Sequence, residues 1–399
     1  MSPSSTASDA RRTASLDADD DPHSAEHAAS PPPSSVSVRS IAVSLAISVL
    51  VLSIIGYVTF DPASFWQMLY RMEASILLAA LGATLGRAFA GGWRLHFVSQ
   101  GRLDLPSGIR GQLAWDFFSS VTPSAIGGGP VTTFYIARDR GITVGEATAF
   151  ILFSVLLDQI WFLIAIPLLF VASLMLPVIP DAVGSIGLWS VLAYFGVLAT
   201  WAGLFAYTML VRPHLLERLA HRCFRWRYLR RFRKRVLREM RAFARRAERL
   251  RTQPLRFYIQ GLGITALIWM GRYLLIFLVV RSVYAHADAL LMVLRTAAMT
   301  LLGLIMPTPG GSGGIEGLYA LFIGPLIPST LVAPTLLTWR FLGYYLFIAL
   351  GAYLFLHQIQ RMIAADRTAA SSASEEVAPK TSVSATADDA PAPALNDVD

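Results

Sequence analysis

The 399-residue chain is 54% hydrophobic and only 15% charged, with a mean hydropathy of +0.52. An ordinary soluble domain carries about 25% charged residues, and several runs here reach the roughly 20 apolar residues that cross a bilayer, so a water-soluble protein is excluded. A lone cysteine, Cys223, rules out an internal disulfide. No metal-spaced Cys/His clusters, G-x-S-x-G, G-x-x-x-x-G-K-[ST] or H-E-x-x-H occur, so neither a metal nor another cofactor is expected.

Residues 1–38 and 366–399 are rich in Ser, Ala, Asp and Pro without apolar periodicity, and read as disordered tails around a membrane domain at 39–365. Six full spans are expected within that domain. They fall at 40–60, 74–93 (carrying Arg87), 145–176 (Asp158), 182–211, 257–280 (Arg272) and 330–358 (Arg340). Two further apolar stretches are interrupted: 109–139 by "SVTPSAIGGGP" and 289–327 by "IMPTPGGSGGIEG". Non-helical backbone survives at membrane depth only against protein or water. Both stretches therefore read as re-entrant helical hairpins, although hydropathy alone counts eight spans. The predicted fold class is an all-α polytopic membrane protein with halves at about 39–176 and 182–360.

The net charge of +8 is unevenly placed: between 212 and 256 stand 16 Arg and one Lys against three Glu. Loops rich in Lys and Arg stay cytoplasmic. This puts the 94–110 loop, the 212–256 segment and both termini on the inner side of the cell membrane. Leu219, Trp226, Leu229, Val236, Met240, Phe243 and Leu250 share a helical face in the basic segment. It reads as an amphipathic helix on the anionic inner leaflet rather than a nucleic-acid binder. A purely topogenic role stands beside that reading.

The two breaks share the pattern T-P-x-x-x-G-G, at Thr122–Gly128 and Thr308–Gly314. Thr122 lies 35 residues after the Arg87 of "LGR", and Thr308 lies 36 residues after the Arg272 of "MGR". Under the assigned topology the Arg87 and Arg272 spans run in opposite directions, so the halves form an inverted repeat. Paired breaks in inverted halves point to a transporter site near the midplane. The candidate substrate-binding residues are Thr122, Pro123, Gly127 and Gly128 in the first break, and Thr308, Pro309, Gly310, Gly311, Gly313, Gly314 and Glu316 in the second. The intramembrane charges Arg87, Asp158, Arg272 and Arg340 complete the set.

The half-helix after Gly314 would present unpaired N–H groups to an anion, or Glu316 would cap them instead. The glycines also suit a tight turn and close packing alone. Charges in a bilayer should face a cavity or one another. Arginines there suit a phosphate, which a guanidinium grips with two parallel hydrogen bonds. A structural Arg–Asp pair using Asp158, or an Arg340 that snorkels to the interface, is the plainer reading.

The stretches "TPSAIGGGPVTTFYIARDRGITVGEATAFILFSVLLDQI" (122–160), "PTPGGSGGIEGLYALFIG" (307–324) and "LVAPTLLTWRFLGYYLFIALGAYLF" (331–355) resemble the flippase-like integral membrane proteins, the lysylphosphatidylglycerol synthase transmembrane-region family. The resemblance covers roughly residues 40–360. It departs at Gly129, where relatives often carry an acid. It implies a domain that moves lipid-linked or amphiphilic substrates between leaflets. Bifunctional relatives add a soluble aminoacyltransferase domain; only a short polar tail follows Arg361 here, so no lysyltransferase activity is expected. The leading expectation is a carrier for a phospholipid or other lipid-linked anionic substrate, with Gly127–Gly129 and Gly310–Gly314 meeting the headgroup. The alternative is an accessory scaffold binding an envelope-synthesis enzyme through the basic segment. A lipid-modifying enzyme using Glu316 or Asp158 as base lacks a nucleophile–base–orienter set.

Overall fold

The computed structural model describes residues 66, 70, 72–121, 128–210, 233–304, 311 and 313–354. The expected 40–60 span, both tails, segment 212–232, and Thr122, Pro123, Gly127, Thr308, Pro309 and Gly310 lie outside the described residues. In chain order the helices are α1 (Ala74–Ser99), α2 (Leu105–Val121), α3 (Gly128–Arg140), α4 (Val144–Ser173), α5 (Gly184–Leu210), α6 (Arg233–Arg251), α7 (Leu255–Arg281), α8 (Ala289–Gly303), α9 (Gly314–Phe322) and α10 (Ser329–Arg340). A π-turn, Phe341–Tyr345, prolongs α10 into one helical run ending at Leu354. Among the described residues, five helices are long and apolar enough to cross a membrane: α1, α4, α5, α7 and the Ser329–Leu354 run. Each matches an expected span. The protein is an integral, multi-pass, all-helical membrane protein.

Helix α1 and helix α7 form an antiparallel pair at the centre. Glu73 N–H donates to Ser282 O at 2.9 Å at one end, and the Phe97 and Phe257 rings stack 4.6 Å apart at the other. Midway, a Cβ on Gly271 would stand 3.3 Å from Ala83 O and from Arg87 Cβ. The glycine of "MGR" thus lets the two arginine-bearing helices touch.

Each interrupted stretch is an antiparallel pair of short helices. Helix α2 folds back along α1, so close that a Cβ on Gly108 would strike the Gly92 carbonyl oxygen. Helix α3 returns beside α2, with Gly111 against Ile136 and Gly128 against Ser119. At 17 and 13 residues, α2 and α3 are about 25 and 20 Å long, less than the roughly 30 Å hydrocarbon core. Helices α8 and α9 repeat the plan: Gly303 packs on Ile315, and Arg295 NH1 donates to Phe322 O at 2.9 Å.

The open end of the α2–α3 pair lies with Arg102, Arg110, Arg140 and α6. The pairs Arg110–Asp139 (3.2 Å), Arg140–Asp104 (3.5 Å) and Arg102–Glu146 (3.4 Å) lace that end. The open end of α8–α9 lies at the opposite pole, where Arg295 also donates to Pro177 O at 3.0 and 2.8 Å. The two pairs therefore enter from opposite ends.

The basic segment differs from expectation in what covers its apolar face. Along α6, Phe243, Ala247 and Leu250 are buried against protein, not laid in lipid. Gly145 N–H donates to Glu239 Oε2 at 2.6 Å, and the lack of a Cβ there lets α6 cross the start of α4. Of the seven residues on that face, Leu219, Trp226 and Leu229 lie outside the described residues.

Candidate functional site

Three arginines and two carboxylates lie along the α1–α7 pair, and a fourth arginine and third carboxylate, Arg340 and Glu316, join α10 to α9. Arg87 forks onto Asp116 of α2, NH1 to Oδ1 at 3.3 Å and NH2 to Oδ2 at 3.2 Å, and its guanidinium lies 4.4 Å over the Phe347 ring. Further along α1, Arg94 donates to Asp158 Oδ1 at 2.6 Å and to Thr265 Oγ1 at 3.3 Å. The Trp269 indole N–H donates to the same Asp158 oxygen at 2.9 Å. Asp158 is thus the partner of an arginine, as the plainer sequence reading held. The arginine is Arg94, which the predicted span ended one residue short of.

The second break ends in a cap. Gly313 has φ of +87°, a conformation that a side chain would strain. Its N–H donates to Glu316 Oε2 at 2.6 Å. The other Glu316 oxygen meets Arg340 NH2, and both side chains are 5% exposed. The N-terminus of α9 that could have faced an anion thus holds the protein's own carboxylate, and Arg340 is buried against it rather than snorkelling. Gly311 and Gly314 flank this cap. At nine residues, α9 is a short half-helix.

Arg340 also carries the network to the first break. It lies 5.1 Å over the Tyr344 ring and 5.3 Å over Trp339. Tyr344 OH donates to Ser120 O at 2.9 Å, just before the first break. Beyond that break Gly128 is buried, its missing Cβ leaving room for Ser119. Gly129 is buried beside Ile151.

Arg272 stands apart. It forms no ion pair among the described residues, and its guanidinium lies 5.1 Å over Trp269. Its neighbours at three and four positions along α7, namely Ile268, Trp269, Leu275 and Ile276, are all buried. The lipid-facing stripe of that helix is Ile259, Gly263, Leu267 and Leu274. Arg272 therefore points from the protein-facing side, yet its side chain is exposed. Arg87, Asp116, Tyr273 and Asp158 lie near enough to act on its charge. With three carboxylates matched to Arg87, Arg94 and Arg340, Arg272 is the one of these four arginines without an ion pair among the described residues. On α1 and α4, the buried oxygens Thr84 Oγ1 and Gln159 Oε1 have no hydrogen-bond partner among the described residues.

The structure sets Arg87 and Asp158 near Arg272, and it pairs Glu316 with Arg340 at the end of the second break. Sequence reasoning missed Asp116, Arg94 and Tyr344. Asp116 had a visible signal, as the sole carboxylate in the apolar run that leads to the first break. Among the described residues no cluster of His, Cys, Asp and Glu could hold a metal ion.

No curated protein matches the chain significantly. The family described as "Lysylphosphatidylglycerol synthase TM region" matches residues 41–351, a span that contains both helix pairs and every charge of the cluster. The chain belongs to that family.

Proposed function

We propose that the protein is a carrier that moves an anionic phospholipid, or another lipid bearing a phosphate headgroup, between the leaflets of the cell membrane. The observation behind this reading is Arg272. A guanidinium on the protein-facing side of a spanning helix, without an ion-pair partner among the described residues, is costly unless water or a ligand meets it, and a phosphate takes its two parallel donors. The neighbouring arginines are held by carboxylates, so among the described residues the group carries one positive charge in excess, which suits a singly charged phosphodiester. Helix pairs that enter from opposite ends support an inverted repeat with two re-entrant hairpins, the plan of carriers that open alternately to either side. The acyl chains stay in lipid, and only the headgroup needs the polar path. The termini and α6 lie on the cytoplasmic side, and the protein is a carrier rather than an enzyme.

Reconstitution into liposomes with labelled phosphatidylglycerol tests this. Arg272→Ala removes a charge-assisted contact of about 1.5–3 kcal/mol, so translocation should fall about 10- to 100-fold while the protein stays folded. Arg272→Lys should retain part of the rate. Unchanged translocation in Arg272→Ala would refute the site. A wild-type protein that moves no lipid would replace the carrier with the scaffold.

A further inference from the structure

Helix α6 shows two unlike faces. Its inner face is consumed by the protein: Phe243, Ala247 and Leu250 are buried, and Arg246 donates to the Ser99 carbonyl while lying 4.9 Å over the Phe150 ring. Its outer face is a row of exposed arginines, Arg238, Arg241, Arg245 and Arg249, at helical spacings of three and four. The acids of α6 are directed elsewhere. Glu239 accepts from Gly145 N–H, and Glu248 pairs with Arg251 at 2.6 Å. Arg241, Arg245 and Arg249 form no ion pair among the described residues. Like charges four residues apart repel, so the bare row favours an anionic surface against it.

Its position says which surface. The Tyr258 hydroxyl donates to Leu250 O and Arg251 O, both at 3.2 Å, and so ties the last turn of α6 to the first turn of α7. On that first turn Leu255 and Ile259 are 73% and 61% exposed, which in a spanning helix is the lipid-facing side. Arg256, also exposed, stands between them. The arginine row therefore reaches the level at which acyl chains give way to headgroups.

We infer that Arg241, Arg245, Arg249 and Arg256 form a docking row for anionic phospholipid headgroups of the leaflet next to α6. This interaction surface is separate from the Arg272 site. It needs no transport, and it differs from an interfacial helix because the apolar face is spent on protein and charge alone recruits the lipid. Guanidiniums at a membrane surface each favour an anionic lipid by about fivefold, and the attraction weakens as salt shortens the screening length.

The full-length protein in neutral detergent, titrated with phosphatidylglycerol or phosphatidylcholine and read by native mass spectrometry, tests the row. The wild type should bind phosphatidylglycerol more tightly, and added salt should erase the preference. The R241Q/R245Q/R249Q variant should lose about fivefold of that preference for each arginine replaced, with phosphatidylcholine binding unchanged. The corresponding triple Lys variant should keep it. An unchanged preference in the Gln variant would overturn the inference. So would its loss in the Lys variant, which would mark a structural effect. A Gln variant that loses affinity for a polynucleotide but not for phosphatidylglycerol would assign the row to nucleic acid instead.

Discussion

Arg87 and Arg272 each follow a glycine and precede a Thr-Pro break by 35 or 36 residues, yet they meet opposite fates. Arg87 is neutralised by Asp116 and buried, whereas Arg272 forms no ion pair among the described residues. Asp116→Asn should therefore harm folding more than any exposed change, because it leaves a buried guanidinium without its counter-charge. Removing one member of a buried pair costs about 3–5 kcal/mol, which a lowered unfolding temperature in detergent would register. Replacing both, as Arg87→Met with Asp116→Leu, should recover most of that loss, since two apolar side chains satisfy the site without desolvating ions. A double variant as unstable as Asp116→Asn would show that the pair does more than neutralise itself.

At the scale of the element, the α1–α2 fold-back depends on bare backbone. A Cβ on Gly108 would strike the Gly92 carbonyl, and rigid main chain cannot rotate aside. Gly108→Ala should cost about 1–3 kcal/mol as the helices separate. Gly263, on the lipid-facing side of α7 with open space around it among the described residues, should accept Ala within about 1 kcal/mol. Paired thermal unfolding curves compare the two. The entry to α2 is pH-sensitive. Asp104 Oδ1 accepts from Ser107 N–H at 3.2 Å. Its hydrogen bonds with Ser107, aided by Arg140 and Arg110, hold its carboxyl below the ordinary value of 3.8. The folded form thus prefers the ionised cap. That stability is complete above the ordinary carboxylate range and is lost as pH falls through the lowered folded value. Asp104→Asn should flatten this part of an acid-unfolding curve, and an unaltered curve would remove the cap from the account.

At the scale of the whole molecule, the elements whose signal is carried by length and composition were legible beforehand. The spans of α4, α5 and α7 fall within a few residues of where hydropathy puts them, and both breaks separate short antiparallel helices. Pairings between distant residues were not legible. Arg94 was lost because "GGWRLHF" lowers local hydropathy although α1 runs on to Ser99. Asp116 stands out locally as the sole carboxylate of its apolar run, but its arginine, 29 residues away, is not readable from the sequence. The apolar side of α6 was visible in its periodicity, but periodicity does not say whether lipid or protein covers a stripe.

The π-turn at Phe341–Tyr345 carries a mechanical implication. In a regular helix, residues seven apart point almost the same way, and Arg340 and Phe347 would share one side. A turn widened by one residue rotates the C-terminal part of the rod by about 100°. Arg340 accordingly meets the carboxylate of α9, while Phe347 meets the guanidinium of α1. One rod is seated in two sockets set at different angles, like a crankshaft between two pistons. A shift of α9 against α1 therefore has to turn the rod in one of its two seats.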